Sequence, residues 1–221
     1  MARLARVVAP GLPHHVTQRG NRRQDVFFAK ADYARYLELL QTHCAKERVA
    51  ILAYCLMPNH VHVIAVPKAA DSLGRAIGET HRRYTRHVNA AQDWQGHLWQ
   101  DRFASFPMDE SHLLMAARYI ELNPVRAGFV RTPEKYAWSS IHAHLSGQDD
   151  DLVSVKPLLD LAPDWPAFLR QGIDENERLT LRRHERTGRP AGDNKFISRL
   201  EKRLRRVLKK QKPGPKSASG K

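Results

Sequence analysis

Met57-Pro58-Asn59-His60-Val61-His62-Val63-Ile64-Ala65-Val66-Pro67 reads as a β-strand entered from a Pro-Asn turn and closed by a second proline. Side chains alternate faces along a strand, so His60 and His62 point one way and Val61 and Val63 the other. Two imidazoles on one face of a rigid strand suit a divalent metal with positions left open for substrate. Ala50 to Leu56, just upstream, is a second strand pattern, and a turn as short as Met57-Pro58-Asn59 makes the pair antiparallel. Another His-x-His, His142-Ala143-His144, lacks the apolar, β-branched setting that distinguishes the first.

Working outward, His14 to Arg19 reads as a first strand ended by Gly20-Asn21. Ala31 to Arg48 carries Tyr33, Tyr36, Leu37, Leu40 and Cys44 at three- and four-residue steps, the period of a helix. Ser72, as N-cap, opens a second helix to Asn89, and Phe103 to Met108 is a further strand. Leu113 to Pro124 is a third helix, capped by Asp109 or Ser111 and stopped by its proline. Strand, helix, two strands, helix, strand, helix predicts an α+β fold, an antiparallel sheet packed with helices. Tyr119 and Asn123 are four residues apart and share a face of the third helix, offering an oxygen nucleophile and an amide oxygen ligand beside the histidines.

Several blocks occur in a fixed order: MPNHVHVIAVP at 57–67, LWQDRF at 98–103, ARYIELNPVRAGFV at 117–130 and YAWSS at 136–140. Together they resemble the REP-associated tyrosine transposases, one-tyrosine enzymes of the His-hydrophobic-His superfamily related to the single-strand insertion-sequence transposases. The resemblance spans roughly residues 8 to 145, and GRPAG at 188–192 is similar to the family's C-terminal region. It implies a ferredoxin- or RRM-like nuclease fold, with His60 and His62 as metal ligands, Asn123 in the third ligand position and Tyr119 as nucleophile. Relatives outside this branch often carry Gln where Asn123 stands. The implied activity is metal-dependent cleavage and strand transfer of single-stranded DNA beside REP-type hairpins, through a 5′-phosphotyrosine. Mg²⁺ or Mn²⁺ is the implied cofactor, and imidazole ligands favour Mn²⁺.

Charge and composition bound the rest. Of the net charge of +14, residues 182–221 carry +12 (15 Lys/Arg against 3 Asp/Glu), and the preceding 181 residues only +2 (22 against 20). Such a segment predicts salt-sensitive phosphate binding, with a solvated tail as the other reading. Expected domains are a one-tyrosine transposase domain over 1–145, a helical extension over 146–186, and a basic helix and disordered DNA-binding tail over 187–221. The last helix is placed at Lys195 to Lys210, with Phe196, Leu200, Leu204, Val207 and Leu208 on one face. Expected DNA contacts are Arg19, Arg22 and Arg23 at the first turn, Arg82 and Arg83 on the second helix, Trp99 and Arg102, and Arg203, Arg205, Arg206, Lys209 and Lys210 in the tail. Capping the core is the other reading of Trp99 and Phe103. Tyr84, on the basic helix, is the rival nucleophile, although its spacing from Ile77 and Val88 suits packing.

No long apolar run predicts a membrane span, and MARLARVVAPGLPHHV is not a signal-peptide pattern. Cys44 and Cys55 are expected as buried thiols of a cytosolic, nucleoid-associated protein. The expected partner is a single-stranded DNA hairpin, bound by a monomer or homodimer. The alternatives are a catalytically silent hairpin-binding protein and a small metallohydrolase in which water attacks in place of Tyr119.

Overall fold

The computed structural model describes residues 5–209, and their core is a four-stranded antiparallel sheet in the order β2-β3-β1-β4. Its strands are β1 (His14–Arg19), β2 (Val49–Met57), β3 (His60–Pro67) and β4 (Ala104–Pro107). Helix α1 (Lys30–Lys46) joins β1 to β2, and α2 (Ser72–Gln92) joins β3 to β4. This is the predicted α+β arrangement, with the histidine strand central and the Pro58-Asn59 turn linking it to β2.

Both faces of the sheet are covered, which is why β2 and β3 read as nearly continuous apolar runs. On one face Val16, Val61, Val63 and Ala65 pack with Tyr36 and Leu40 of α1 and Leu73, Ile77 and Tyr84 of α2. On the other, Ile64 and Phe106 pack against Leu113, Ala116 and Ile120 of α3 (Glu110–Glu121). A bulge between Ile51 and Ala53 re-phases β2, so that Ile51 serves the first layer and Ala53 the second. Cys44 and Cys55 are buried free thiols.

Two boundaries differ from expectation for identifiable reasons. Asp71, not Ser72, flanks the start of α2, while Ser72 Oγ accepts from the Ala69 amide. Asp109 caps α3 through the His112 amide, but the helix breaks at Leu122 before Asn123. Pro124 cannot donate to the preceding turn, so a separate short helix, α4 (Asn123–Arg126), starts around it.

After the YAWSS block, short helices α5 (Ile141–Ser146), α6 (Lys156–Leu159) and α7 (Trp165–Arg170) lead to α8 (Glu175–Thr187) and α9 (Asn194–Leu204). Tyr136 Oη donates to the Leu56 carbonyl, and Ser140 Oγ pairs with the Tyr54 backbone, tying the block to β2. Gly188 ends α8 in the left-handed region, and Ala191 then exchanges backbone hydrogen bonds with Pro107 and Asp109, extending the β4 edge. Gly192 is required there, since a Cβ would meet the Phe196 ring at 2.3 Å.

The last helix departs most from its predicted form. It stops at Leu204, because Arg205 turns left-handed and Glu201 accepts from the Leu208 and Lys209 amides. Phe196, Leu200 and Leu208 pack on Val7 and Ala9, while Arg206 donates to the carbonyls of Ala5 and Arg6. Over its described length the basic helix is therefore docked on the N-terminal segment. The expected disordered tail and Lys210 lie outside the described residues. Among the described residues no helix is long and apolar enough to cross a membrane.

Candidate active site

Strand register assembles the site. His62 pairs with Thr17 and His60 with Arg19, so His15, Thr17 and Arg19 share a sheet face with His60, His62 and Ile64. That face is covered by α3, α4 and α8, which bring Tyr119, Asn123 and Glu185 to the histidines. The His60 and His62 rings lie 5.0 Å apart, nearly perpendicular at 84°. The Tyr119 ring is 5.6 Å from that of His62.

A chain of hydrogen bonds orients His60. Arg126 donates to Asn123 Oδ1 at 2.6 Å, Asn123 Nδ2 lies 3.3 Å from His60 Nε2, and His60 Nδ1 lies 2.6 Å from Asn59 Oδ1. The consistent assignment puts the proton on His60 Nδ1 and leaves a lone pair on Nε2. The Arg126 guanidinium also sits 4.1 Å over the Tyr119 ring.

Burial, reinforced by the positive charges of Arg19 and Arg126, pushes His60 down to about 4. His62 is driven well below the usual imidazole range by burial and by His60 and His15. His15 falls to about 3 through burial alone. Burial pushes Glu185 the other way, up to about 7, against the opposing pull of Arg19, Arg182 and Arg126. Near neutral pH the imidazoles are thus uncharged, the form that ligates metals.

The donor set fits a divalent ion, with one rearrangement. Asn123 turns its nitrogen, not its oxygen, to His60, because Arg126 holds Oδ1. Presenting the oxygen requires the amide to rotate and release Arg126. His15, His62 and Glu185 form a second grouping, with one ligand-type atom from each lying within 4.8 Å of the others.

The other residues singled out in the sequence scatter. Tyr84 is fully buried on the opposite sheet face, donating to the Val26 carbonyl at 2.7 Å among Phe27, Tyr36 and Trp99, so its role is packing. Trp99, at 9 % exposure, is lodged against His81 and Tyr36, the arrangement that capping of the core calls for. Arg82 and Arg83 are exposed but both pair with Glu79, on the α2 layer away from Tyr119. Arg19, Arg22, Arg23 and Arg102 are exposed, with Arg19 close enough to act electrostatically on both strand histidines. Arg203 donates to the Pro10 carbonyl, and Arg206 is committed to the N-terminal segment. Arg205 and Lys209 are exposed.

Sequence reasoning missed three members of the cluster. Arg126 stood inside the NPVR block, one turn beyond Asn123, and that spacing was a usable signal. His15 was legible only as a strand residue. Glu185, on α8, carries no local signal at all.

Comparison with known proteins agrees with this architecture. Residues 10–123 match the family model described as "Transposase IS200 like". A Haemophilus influenzae protein named as a REP-associated tyrosine transposase is 26% identical over 117 residues, covering 48% of this chain and 65% of that one. The Escherichia coli REP-associated tyrosine transposase is 25% identical over 93 residues, covering 42% and 54%. The matches thus span less than two thirds of either relative's length. A solved REP-associated tyrosine transposase bound to a REP hairpin shares the fold, with a TM-score of 0.54 and 20% identity over 70% of this chain and 92% of that one.

Proposed function

Because the chain belongs to the IS200-like transposase family, we propose that it nicks and rejoins single-stranded DNA beside REP-type hairpins, with Tyr119 as the nucleophile. The observation that carries this reading is the convergence of His60 and His62 from β3, Tyr119 from α3 and Asn123 from α4 onto one sheet face. Tyr119 Oη attacks the scissile phosphorus, a P–O bond forms to the tyrosine, and the 3′-oxygen leaves and is protonated. The resulting 5′-phosphotyrosine conserves the phosphodiester, so a 3′-hydroxyl reverses the step without an external energy source.

His60, His62 and the turned Asn123 amide would hold Mg²⁺ or Mn²⁺, which supplies charge neutralisation at a non-bridging phosphate oxygen. Arg126 stabilises negative charge on Tyr119 from above the ring. Arg19 offers a cation to the incoming backbone at the rim. REP-hairpin recognition comes from the relatives' names and from the hairpin-bound structural neighbour.

The test is a denaturing gel of protein incubated with Mn²⁺ and 3′-labelled hairpin oligonucleotides carrying single-stranded flanks. A covalent adduct is expected from wild type and from Tyr84→Phe, and none from Tyr119→Phe. Tight hairpin binding without an adduct from any variant would favour a silent DNA-binding protein. Turnover without an adduct would point to attack by water.

A further inference from the structure

His15 stands directly behind His62. Its ring is fully buried, stacked 5.2 Å from the His62 ring at 27°, and braced edge-on by Phe106 at 5.3 Å. Its Nε2 lies 3.0 Å from His62 Nδ1, while Glu185 Oε1 lies 4.0 Å from His15 Nδ1 and 3.9 Å from His62 Nδ1, whose proton is engaged by His15. His15 Nδ1 and Glu185 Oε1 are both shielded from solvent and have no hydrogen-bond partner. Two unsatisfied buried polar atoms facing each other are a costly arrangement unless one donates toward the other.

With Glu185 ionised, the proton positions follow from elimination. A hydrogen bond between two neutral imidazoles needs one N–H and one lone pair. Were His15 to donate from Nε2, its Nδ1 would turn a lone pair on a carboxylate oxygen, burying two acceptors face to face. With His62 donating from Nδ1, His15 accepts at Nε2 and its Nδ1–H is directed at Glu185. His62 Nε2 is then the only nitrogen of that ring with a free lone pair.

We propose that Glu185 and His15 are positioning residues that relay a hydrogen-bond polarity to His62, holding it as the Nδ1–H tautomer with Nε2 available to a metal ion. The proposal rests on the reading of His60 and His62 as metal ligands. A carboxylate or carbonyl behind a ligating imidazole fixes its tautomer and raises its basicity. Here the carboxylate acts through a second imidazole and is delivered by α8, far beyond the residues that match the family model. On the other strand residue, His60, Asn59 Oδ1 plays the equivalent part. Both imidazoles are thereby set to present Nε2.

The test has two independent readouts at pH 8. In metal-free protein labelled with ¹⁵N-histidine, two-bond N–H correlation spectra report which His62 nitrogen carries the proton, with His62→Gln giving the assignment. Wild type is expected to show His62 protonated at Nδ1, and Glu185→Ala a mixture of tautomers. Mn²⁺ affinity, followed by the electron paramagnetic resonance of the free ion, is expected to fall roughly 10- to 100-fold in Glu185→Ala. Glu185→Gln keeps an oxygen acceptor for His15 and should recover most of that loss. Glu185 is partly exposed, so these variants spare the core, and circular dichroism checks that they fold.

Protonation of His62 at Nε2 in wild type would overturn the relay, as would unchanged tautomer and affinity in Glu185→Ala. Equal losses in Gln and Ala variants would instead make Glu185 a direct ligand and also overturn it. If wild type binds no Mn²⁺ in a His60-dependent way, the metal reading fails, and the tautomer spectra still decide the relay.

Discussion

Arg126 makes two contacts that a lysine cannot reproduce together: a planar guanidinium over the Tyr119 ring and a directed hydrogen bond to Asn123 Oδ1. Arg126→Ala is expected to slow single-turnover cleavage by about 10²-fold, the usual loss when one preorganised charge stabiliser is removed. Arg126→Lys should recover only part of it, and an unchanged rate in both would remove Arg126 from the chemistry. Glu121 shows a different kind of residue. Fully buried, it accepts from Ser140 Oγ and Trp165 Nε1 and lies 2.6 Å from His144 Nδ1, which also explains the second His-x-His as structure. Glu121→Ala should destabilise the fold by about 3–5 kcal/mol in urea titrations, since stripping one partner strands the others. A cost under about 1 kcal/mol would mean that water replaces the carboxylate. His60, His62 and Tyr119 were legible because strand and helix periods are local, whereas Asn123 reaches the site from a separate short helix and not from the face of α3 where its spacing put it. His15 and Glu185 were not, because only sheet register and the return of α8 bring them to His62.

At the level of elements, the sheet and its first three helices could be read from hydrophobic period alone. The break between α3 and α4 could not, since a proline near a helix end reads as a stop and the restart depends on where the chain goes next. The reading of the last helix failed instructively. Its apolar stripe was recognised, but a stripe says that a helix is covered, not by what, and here the cover is Val7 and Ala9. Leu200→Ala should therefore cost about 2–5 kcal/mol, as for other buried leucines, measurable as a lowered urea midpoint. For the same reason truncation after Arg189 is a poor probe of DNA binding, because it removes that packing with the charge. Lys202, Arg205 and Lys209 are exposed, so their replacement by Gln is expected to leave the apolar docking face intact. If all three meet phosphates, the slope of log K against log salt for single strands should flatten by about 2. An unchanged slope would make this surface a solvated face and nothing more.

Across the whole molecule, the N-terminal segment is held at one end by α9 and at the other by His14. That imidazole accepts from the Ala9 amide at Nε2 and donates from Nδ1 to the Leu12 carbonyl, a pairing open only to the neutral ring. Burial holds His14 down at about 4, and His81, beneath Trp99, at about 3. Both folded values lie below the ordinary 6.5, so between these limits the unfolded chain binds more protons than the folded one. Their contribution is fully present above pH 6.5, shrinks as pH falls, and stops changing below about 4 for His14 and about 3 for His81. At about 1.4 kcal/mol per unit, His14 alone accounts for on the order of 3 kcal/mol. Thermal melts should accordingly show the midpoint dropping steeply from pH 6.5 to 4, with hydrogen exchange at Ala9 and Leu12 rising first. In His14→Gln, which offers an acceptor without taking up a proton, that drop should be visibly shallower. Parallel profiles for wild type and variant would assign the acid sensitivity to other groups and free the N-terminal segment from His14.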